Sequence, residues 1–158
     1  MKIGVLSDTH LTQVTPELKY LLEVCFKDVD LILHAGDMVS LPVYEFLQEK
    51  AVEAVQGNMD EWNLKAVLPA KKTLSLGGYQ IGLIHGWGSA GGLEDRIRPE
   101  FLQIDCLIYG HSHQPANYWS EGVLFFNPGS ASGKGFFRKP TVGIIHIDSG
   151  LKGEILEI

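Results

Sequence analysis

The chain has 158 residues, 45% apolar and 20% charged, with a formal charge of −6. This length suits one domain, and this balance excludes a disordered, collagen-like or coiled-coil polymer. The acidity leaves no molecule-wide basic field for a nucleic-acid backbone, so general nucleic-acid binding is excluded, while a bound cation still allows local attraction of phosphate.

In chain order, Lys2 to Leu6 is predicted as a buried strand that ends at Ser7-Asp8-Thr9-His10. Thr15-Pro16-Glu17 then starts a helix, with a capping hydroxyl, a proline in the first turn and an acid at the positive end. Leu18, Leu21, Leu22, Cys25 and Phe26 recur at helical spacing on its inner face. A second strand, Asp30 to His34, turns at Ala35-Gly36-Asp37, and Ser40 is expected to cap a helix running to about Glu49. Ala51 to Val55 is a third strand, ending at Gly57-Asn58. This β-α-β-α-β rhythm predicts a parallel sheet with its functional positions in the loops at the strand ends.

Antiparallel pairing enters next, where Lys72 to Leu76 and Tyr79 to Ile84 flank Gly77-Gly78 and lead into His85-Gly86. A short helix is expected from Leu93 to about Arg98, then strands at Ile104 to Tyr109, Ala116 to Ser120, Val123 to Phe126, Thr141 to Ile147 and Gly153 to Ile158. So many strands in one small chain predict an α/β fold built as a two-sheet α-β-β-α sandwich, a single domain over residues 1–158. The first apolar run is too short for a secretory signal, and no stretch approaches ~18 apolar residues, so the expectation is a cytoplasmic protein with no membrane partner. Cys25 and Cys106 lie in apolar segments and read as small buried hydrophobes of a reducing compartment.

The chemical signal is a coincidence of position. Asp8-Thr9-His10, Gly36-Asp37, Gly57-Asn58, His85-Gly86 and Gly110-His111-Ser112-His113 each interrupt an apolar run at a predicted strand end. Side chains at i and i+2 of an extended segment point the same way, so Asp8 with His10 and His111 with His113 are expected to converge. Each member alone has an ordinary structural explanation, such as an Asx turn at Asp8, a left-handed turn at Asn58 or a hydrogen-bonded His85. Together, Asp8, His10, Asp37, Asn58, His85, His111 and His113 form a mixed nitrogen and oxygen ligand set large enough for two divalent metals, with Asp37 as the bridge. Such a set accepts manganese, zinc, iron, cobalt or nickel, and two cations about 4 Å apart can clamp a phosphoryl group and activate a hydroxide for in-line attack. His34 and His146 sit within apolar strands and read as structural, with His34 the one placed to support a ligand.

These motifs resemble those of the calcineurin-like metallophosphoesterases, and within them the small YfcE-like phosphodiesterases related to the Vps29 scaffold. The resemblance runs from Asp8-x-His10 through Gly36-Asp37, Gly57-Asn58 and His85-Gly86 to Gly110-His111-x-His113, nearly the whole chain. It implies one metal held by Asp8, His10, Asp37 and His113 and another held by Asp37, Asn58, His85 and His111. It also implies hydrolysis of a phosphoester, with Asp37, Asn58 and His85 as catalytic residues and Asn58 positioning a phosphate oxygen. One departure stands out: many larger relatives carry a histidine after Gly-Asn, where this chain has Met59 followed by Asp60. Methionine donates no proton, so the expectation shifts from monoesters towards a small phosphodiester substrate, with manganese as the preferred metal.

Several residues keep two readings at this stage. Asp60 orients a neighbour or caps a turn, and Asn127-Pro128-Gly129-Ser130 is a tight turn or a support for His10 or His113. Gly88 to Gly92 reads as a flexible rim, with Trp87 and Phe136 as an apolar shelf or as packing between loops, and Lys134, Arg138 and Lys139 as an anion contact or a solvated face. The alternative function is a protein-interaction scaffold with a residual metal site, which would expose Leu93, Val123 or Phe137 as a docking patch. A homodimer or homotetramer fits the apolar edge segments.

Overall fold

Alternation along the strands decides the layers. The computed structural model describes residues 1–133 and 139–158, so the expectations placed on Lys134, Phe136, Phe137 and Arg138 lie outside the described residues. One sheet runs in the order β10 (Leu151–Glu157), β9 (Thr141–Ile147), β1 (Lys2–Leu6), β2 (Leu31–His34), β3 (Val52–Ala54). The other runs β4 (Lys71–Leu76), β5 (Tyr79–Ile84), β6 (Cys106–Ile108), β8 (Val123–Asn127), β7 (Ala116–Ser120). Successive side chains of a strand face opposite ways. Accordingly Ile3, Val5, Leu33, Ile108, Leu124, Phe126 and Ile145 meet between the two sheets.

The intervening residues face outward to helices. Leu6, Ile32 and Ile144 pack with Leu18, Leu21 and Leu22 of α1 (Pro16–Val24), Val43 and Leu47 of α2 (Leu41–Leu47) and Leu64 of α3 (Trp62–Val67). Leu107, Tyr109 and Phe125 pack with Leu93 and Ile97 of α4 (Leu93–Ile97). The result is the expected α/β sandwich, two mixed sheets flanked by helices. β1, β2 and β3 pair in parallel, and β4 and β5 form the hairpin. Among the described residues no helix is long and apolar enough to cross a membrane.

Local signals hold where a side chain does the work. Thr15 caps α1 by accepting the Leu18 N–H at 3.3 Å, with Pro16 in the first turn. Ser40 does not act as expected: it stands at the N-cap of α2, but its hydroxyl makes no capping bond and is buried without a hydrogen-bond partner among the described residues. The six-residue α3 escapes sequence analysis because it buries only Leu64 and shows no apolar period. β10 begins at Leu151 rather than Gly153, which pairs with Ile145 inside the ladder.

His34 closes β2 in the middle of this frame and is fully buried. Its Nδ1 accepts the Gly36 N–H at 3.2 Å, which leaves Nε2 to donate to Thr9 Oγ1, also at 3.2 Å. Burial pushes its pKa down to about 3, against an unfolded value of 6.5, so the folded protein holds it neutral. Between these two values the unfolded chain binds the extra proton, and stability falls as pH drops below 6.5. From pH 7 to pH 5.5 the His34 contribution amounts to a loss of ~1 kcal/mol. Urea titrations of the wild type and His34→Gln at the two pH values are expected to show the shallower pH dependence in the variant; equal slopes would remove His34 from the acid response.

Candidate metal centre

The site grows from two loops zipped together by backbone. Asp8 N–H donates to Gly36 O, His10 N–H to Asp37 O and Leu11 N–H to Met38 O at 3.0, 3.0 and 3.2 Å, prolonging the β1–β2 pairing beyond the strands. The side chains do not converge through the pleat of an extended segment. Five candidate ligands take left-handed backbone instead: Asp8 (φ 53°), His10 (50°), Asp37 (55°), His111 (68°) and His113 (56°). Left-handed non-glycine residues are strained and persist where surrounding structure over-determines them.

Each carboxylate is held by one oxygen and presents the other. Asp8 is fully buried; its Oδ2 accepts from Ser7 Oγ at 2.5 Å and from the His111 N–H at 3.1 Å. Its Oδ1 is buried without a hydrogen bond among the described residues, although His113, His10 and His85 each bring Nε2 to 3.1, 3.8 and 4.0 Å. Asp37 Oδ1 accepts the Met59 N–H at 2.7 Å, and Oδ2 lies 3.3 Å from His85 Nε2 and 3.9 Å from His10 Nε2. His10 and His113 face each other through their Nε2 atoms at 3.1 Å.

The second half of the cluster is set by carbonyls. His85 Nδ1 donates to Ala35 O at 2.7 Å, so in the neutral ring Nε2 carries the lone pair, 3.2 Å from Asn58 Oδ1. His111 Nε2 donates to Gly88 O at 2.6 Å, which aims the Nδ1 lone pair at the same Asn58 oxygen, 3.0 Å away. Acceptor therefore meets acceptor, an arrangement that calls for positive charge at its centre. The titration of the cluster agrees. Burial opposes a charged His85, yet hydrogen bonding to Asp37 and the charges of Asp8 and Asp37 raise its pKa above the usual imidazole value. Burial likewise opposes the Asp37 charge, but the His85 hydrogen bond and charge hold its pKa below the usual carboxylate value.

Among the described residues two groups meet the spacing of a cation site, Asp8 with His10 and His113, and Asp8 with Asp37 and His85. They share Asp8, whereas the sequence assigns the bridge to Asp37; in the structure Asp37 Oδ2 stands between a histidine of each group, His10 and His85. The buried Asp8 Oδ1 and the facing acceptors fit two adjacent cations. Asn58 and His111 lie beside the second group, in contact with each other and with His85.

Sequence analysis left the braces undecided, and the structure assigns them. Asp60 spans two loops, its Oδ1 accepting from Val39 N–H at 2.7 Å and its Oδ2 from Gly57 N–H at 2.6 Å, so it fixes the turn that carries Asn58. The Asn127 to Ser130 loop supports Asp8 and Gly110: Ser130 Oγ donates to Asp8 O at 2.8 Å and Asn127 Nδ2 to Gly110 O at 2.9 Å. His146 stands apart, 3.6 Å from Glu154. A cleft of about 370 Å³ opens from Asn58 and His85 past Lys65 and Lys71 to Trp87, which lines it.

The calcineurin-like phosphoesterase superfamily domain matches residues 1–150. A probable metallophosphoesterase of Methanothermobacter thermautotrophicus is 37% identical over 151 residues, covering 94% of this chain and 87% of that protein. An archaeal phosphodiesterase of known structure superposes with a TM-score of 0.78 at 25% identity, covering 99% of this chain and 100% of that one. The zinc complex of Vps29 from Entamoeba histolytica shares the fold, with a TM-score of 0.73 at 24% identity and coverage of 99% of both chains.

Two glycines make the close approach possible. A Cβ at Gly57 would overlap the backbone nitrogen and Oδ1 of Asp37, and one at Gly110 would overlap Ser7 Oγ and press on Asp8 Oδ2. Gly57→Ala is expected to displace Asp37, lowering manganese affinity ~10–100-fold in calorimetric titration and stability by ~1–3 kcal/mol. Gly150→Ala, where a Cβ meets open space, is the control expected to change neither.

Proposed function

The chain belongs to the calcineurin-like phosphoesterase superfamily, and from that membership together with the acceptor cluster around Asp8 we propose that it is a dinuclear metal-dependent phosphodiesterase, one catalytic domain over residues 1–158. The observation that carries the proposal is the buried Asp8 Oδ1, which makes no hydrogen bond among the described residues while imidazoles of both groups surround it. A buried charged oxygen is stabilised by a positive partner.

In this reading Asp8, His10, Asp37 and His113 hold one cation, and Asp37, Asn58, His85 and His111 hold the other. When bound, the pair supplies Lewis-acid polarisation of the phosphoryl oxygens and a water nucleophile activated at neutral pH, with manganese preferred. Asp37 keeps the two positions in register through Oδ2, its other oxygen being held by Met59 N–H. Asn58 turns its oxygen to His85 and His111, so its amide nitrogen is the atom that positions a phosphate oxygen. Met59, 58% exposed beside this residue, offers no proton to a leaving group. A diester, with one negative charge, needs less neutralisation than a monoester dianion and suits that arrangement better, its leaving oxygen taking a proton from water or another residue. The cleft towards Lys65 and Trp87 seats one ester substituent.

Of the residues the scaffold alternative would expose, Leu93 and Val123 are buried, at 0% and 4% exposure, while Phe137 lies outside the described residues. The test is hydrolysis of bis(p-nitrophenyl) phosphate and p-nitrophenyl phosphate in parallel across a series of divalent metals. Manganese-dependent turnover favouring the diester is expected, with loss on chelation. Asp37→Asn and His85→Ala are each expected to lower the rate by about 100-fold or more. An undiminished rate in either variant would move the catalyst elsewhere, and inactivity with every metal would return the scaffold reading.

A further inference from the structure

The loop after His85 belongs to no motif, and its glycines suggested a flexible rim. The structure shows it tied to one side chain. Arg96 of α4 reaches back across the loop, Nε and Nη2 donating to Trp87 O at 3.2 and 3.1 Å, Nη1 to Gly91 O at 2.9 Å and Nη2 also to Ser89 O. These three carbonyls flank Gly88, whose own carbonyl accepts the Nε2–H of His111 at 2.6 Å. A planar guanidinium presents its donors in a rigid fork, which lets one residue fix several carbonyls at once.

We infer that Arg96 is a positioning residue for the second cation site: by clamping the carbonyls of Trp87, Ser89 and Gly91 it sets the Gly88 carbonyl that orients and tautomerises His111. Gly88 O accepts only, so it selects the Nε2–H form and leaves Nδ1 as the ligand atom facing Asn58. The same clamp holds Trp87, the wall of the cleft. Without the fork, a loop with glycine at 88, 91 and 92 keeps the Ser89 hydroxyl bond to Gly91 O but loses the ties on either side of Gly88, and His111 loses its fixed acceptor. The inference rests on the dinuclear reading for its consequence, but the orientation of His111 is independent of it.

Two measurements separate these. In metal-free protein, long-range proton–nitrogen NMR of the imidazoles is expected to show His111 as the Nε2–H tautomer in the wild type and as a mixture in Arg96→Ala. Arg96→Lys, which keeps the charge but not the fork, is expected to resemble Arg96→Ala, and low millimolar guanidinium is expected to restore the wild-type signal to Arg96→Ala. In calorimetric titration with manganese, Arg96→Ala is expected to keep one site at wild-type affinity and to weaken the other ~10–100-fold. An unchanged tautomer in Arg96→Ala, a fully competent lysine variant, or two unaltered sites overturns the positioning role. A tautomer change in a protein whose wild type binds fewer than two cations leaves the clamp standing and overturns its link to metal binding.

Discussion

A fully buried carboxylate, one oxygen of which makes no hydrogen bond among the described residues, is the constraint around which the polar end of this molecule is arranged. Asp8 satisfies Oδ2 with Ser7 and the His111 backbone, and so commits β1 and the loop after β6 to one geometry. Its other oxygen is left to the imidazoles, and isolating a buried charge from its partner costs ~3–5 kcal/mol. The cluster therefore draws positive charge, whether from protons on histidine or from cations, and the opposite shifts of His85 and Asp37 express that same demand.

Holding such a cluster requires the backbone to accept strain. Left-handed residues at Asp8, His10, Asp37, His111 and His113 bring short loops close together, and the surrounding structure keeps them there. Asp60 ties the Asn58 turn to Val39, Ser130 grips the Asp8 carbonyl, and His34 joins Thr9 to Gly36. None of these braces is itself a candidate ligand: Ser130 holds the backbone of one, and Asp60 and His34 hold residues beside one. The apolar interior supplies the rigid base: three packed layers of side chains, between the sheets and outside each, leave the strand ends little freedom.

Arg96 extends the same logic to a loop that composition alone describes as loose. Glycine content measures what a backbone is free to do, not what a neighbouring side chain then makes it do. His111 is consequently a ligand candidate whose orientation depends on a residue fifteen positions earlier, through three carbonyls and a fourth.

The sequence by itself determined the sandwich, because strand alternation and helical period are local properties, legible in Ile3, Val5 and Leu6 or in Leu18, Leu21 and Leu22. It also singled out five loops that carry candidate ligands, since acids, amides and histidines after apolar runs have no ordinary reason to recur. Short elements escaped it: α3 has one buried residue, and the buried Ser40 was taken for a cap. Only the tertiary structure decided which oxygen of each carboxylate faces the cluster, that convergence runs through left-handed backbone, and that Asp60, Asn127 and Arg96 serve as braces. Those facts depend on hydrogen bonds between residues far apart in the chain, where neither residue's neighbours carry a trace of the partner.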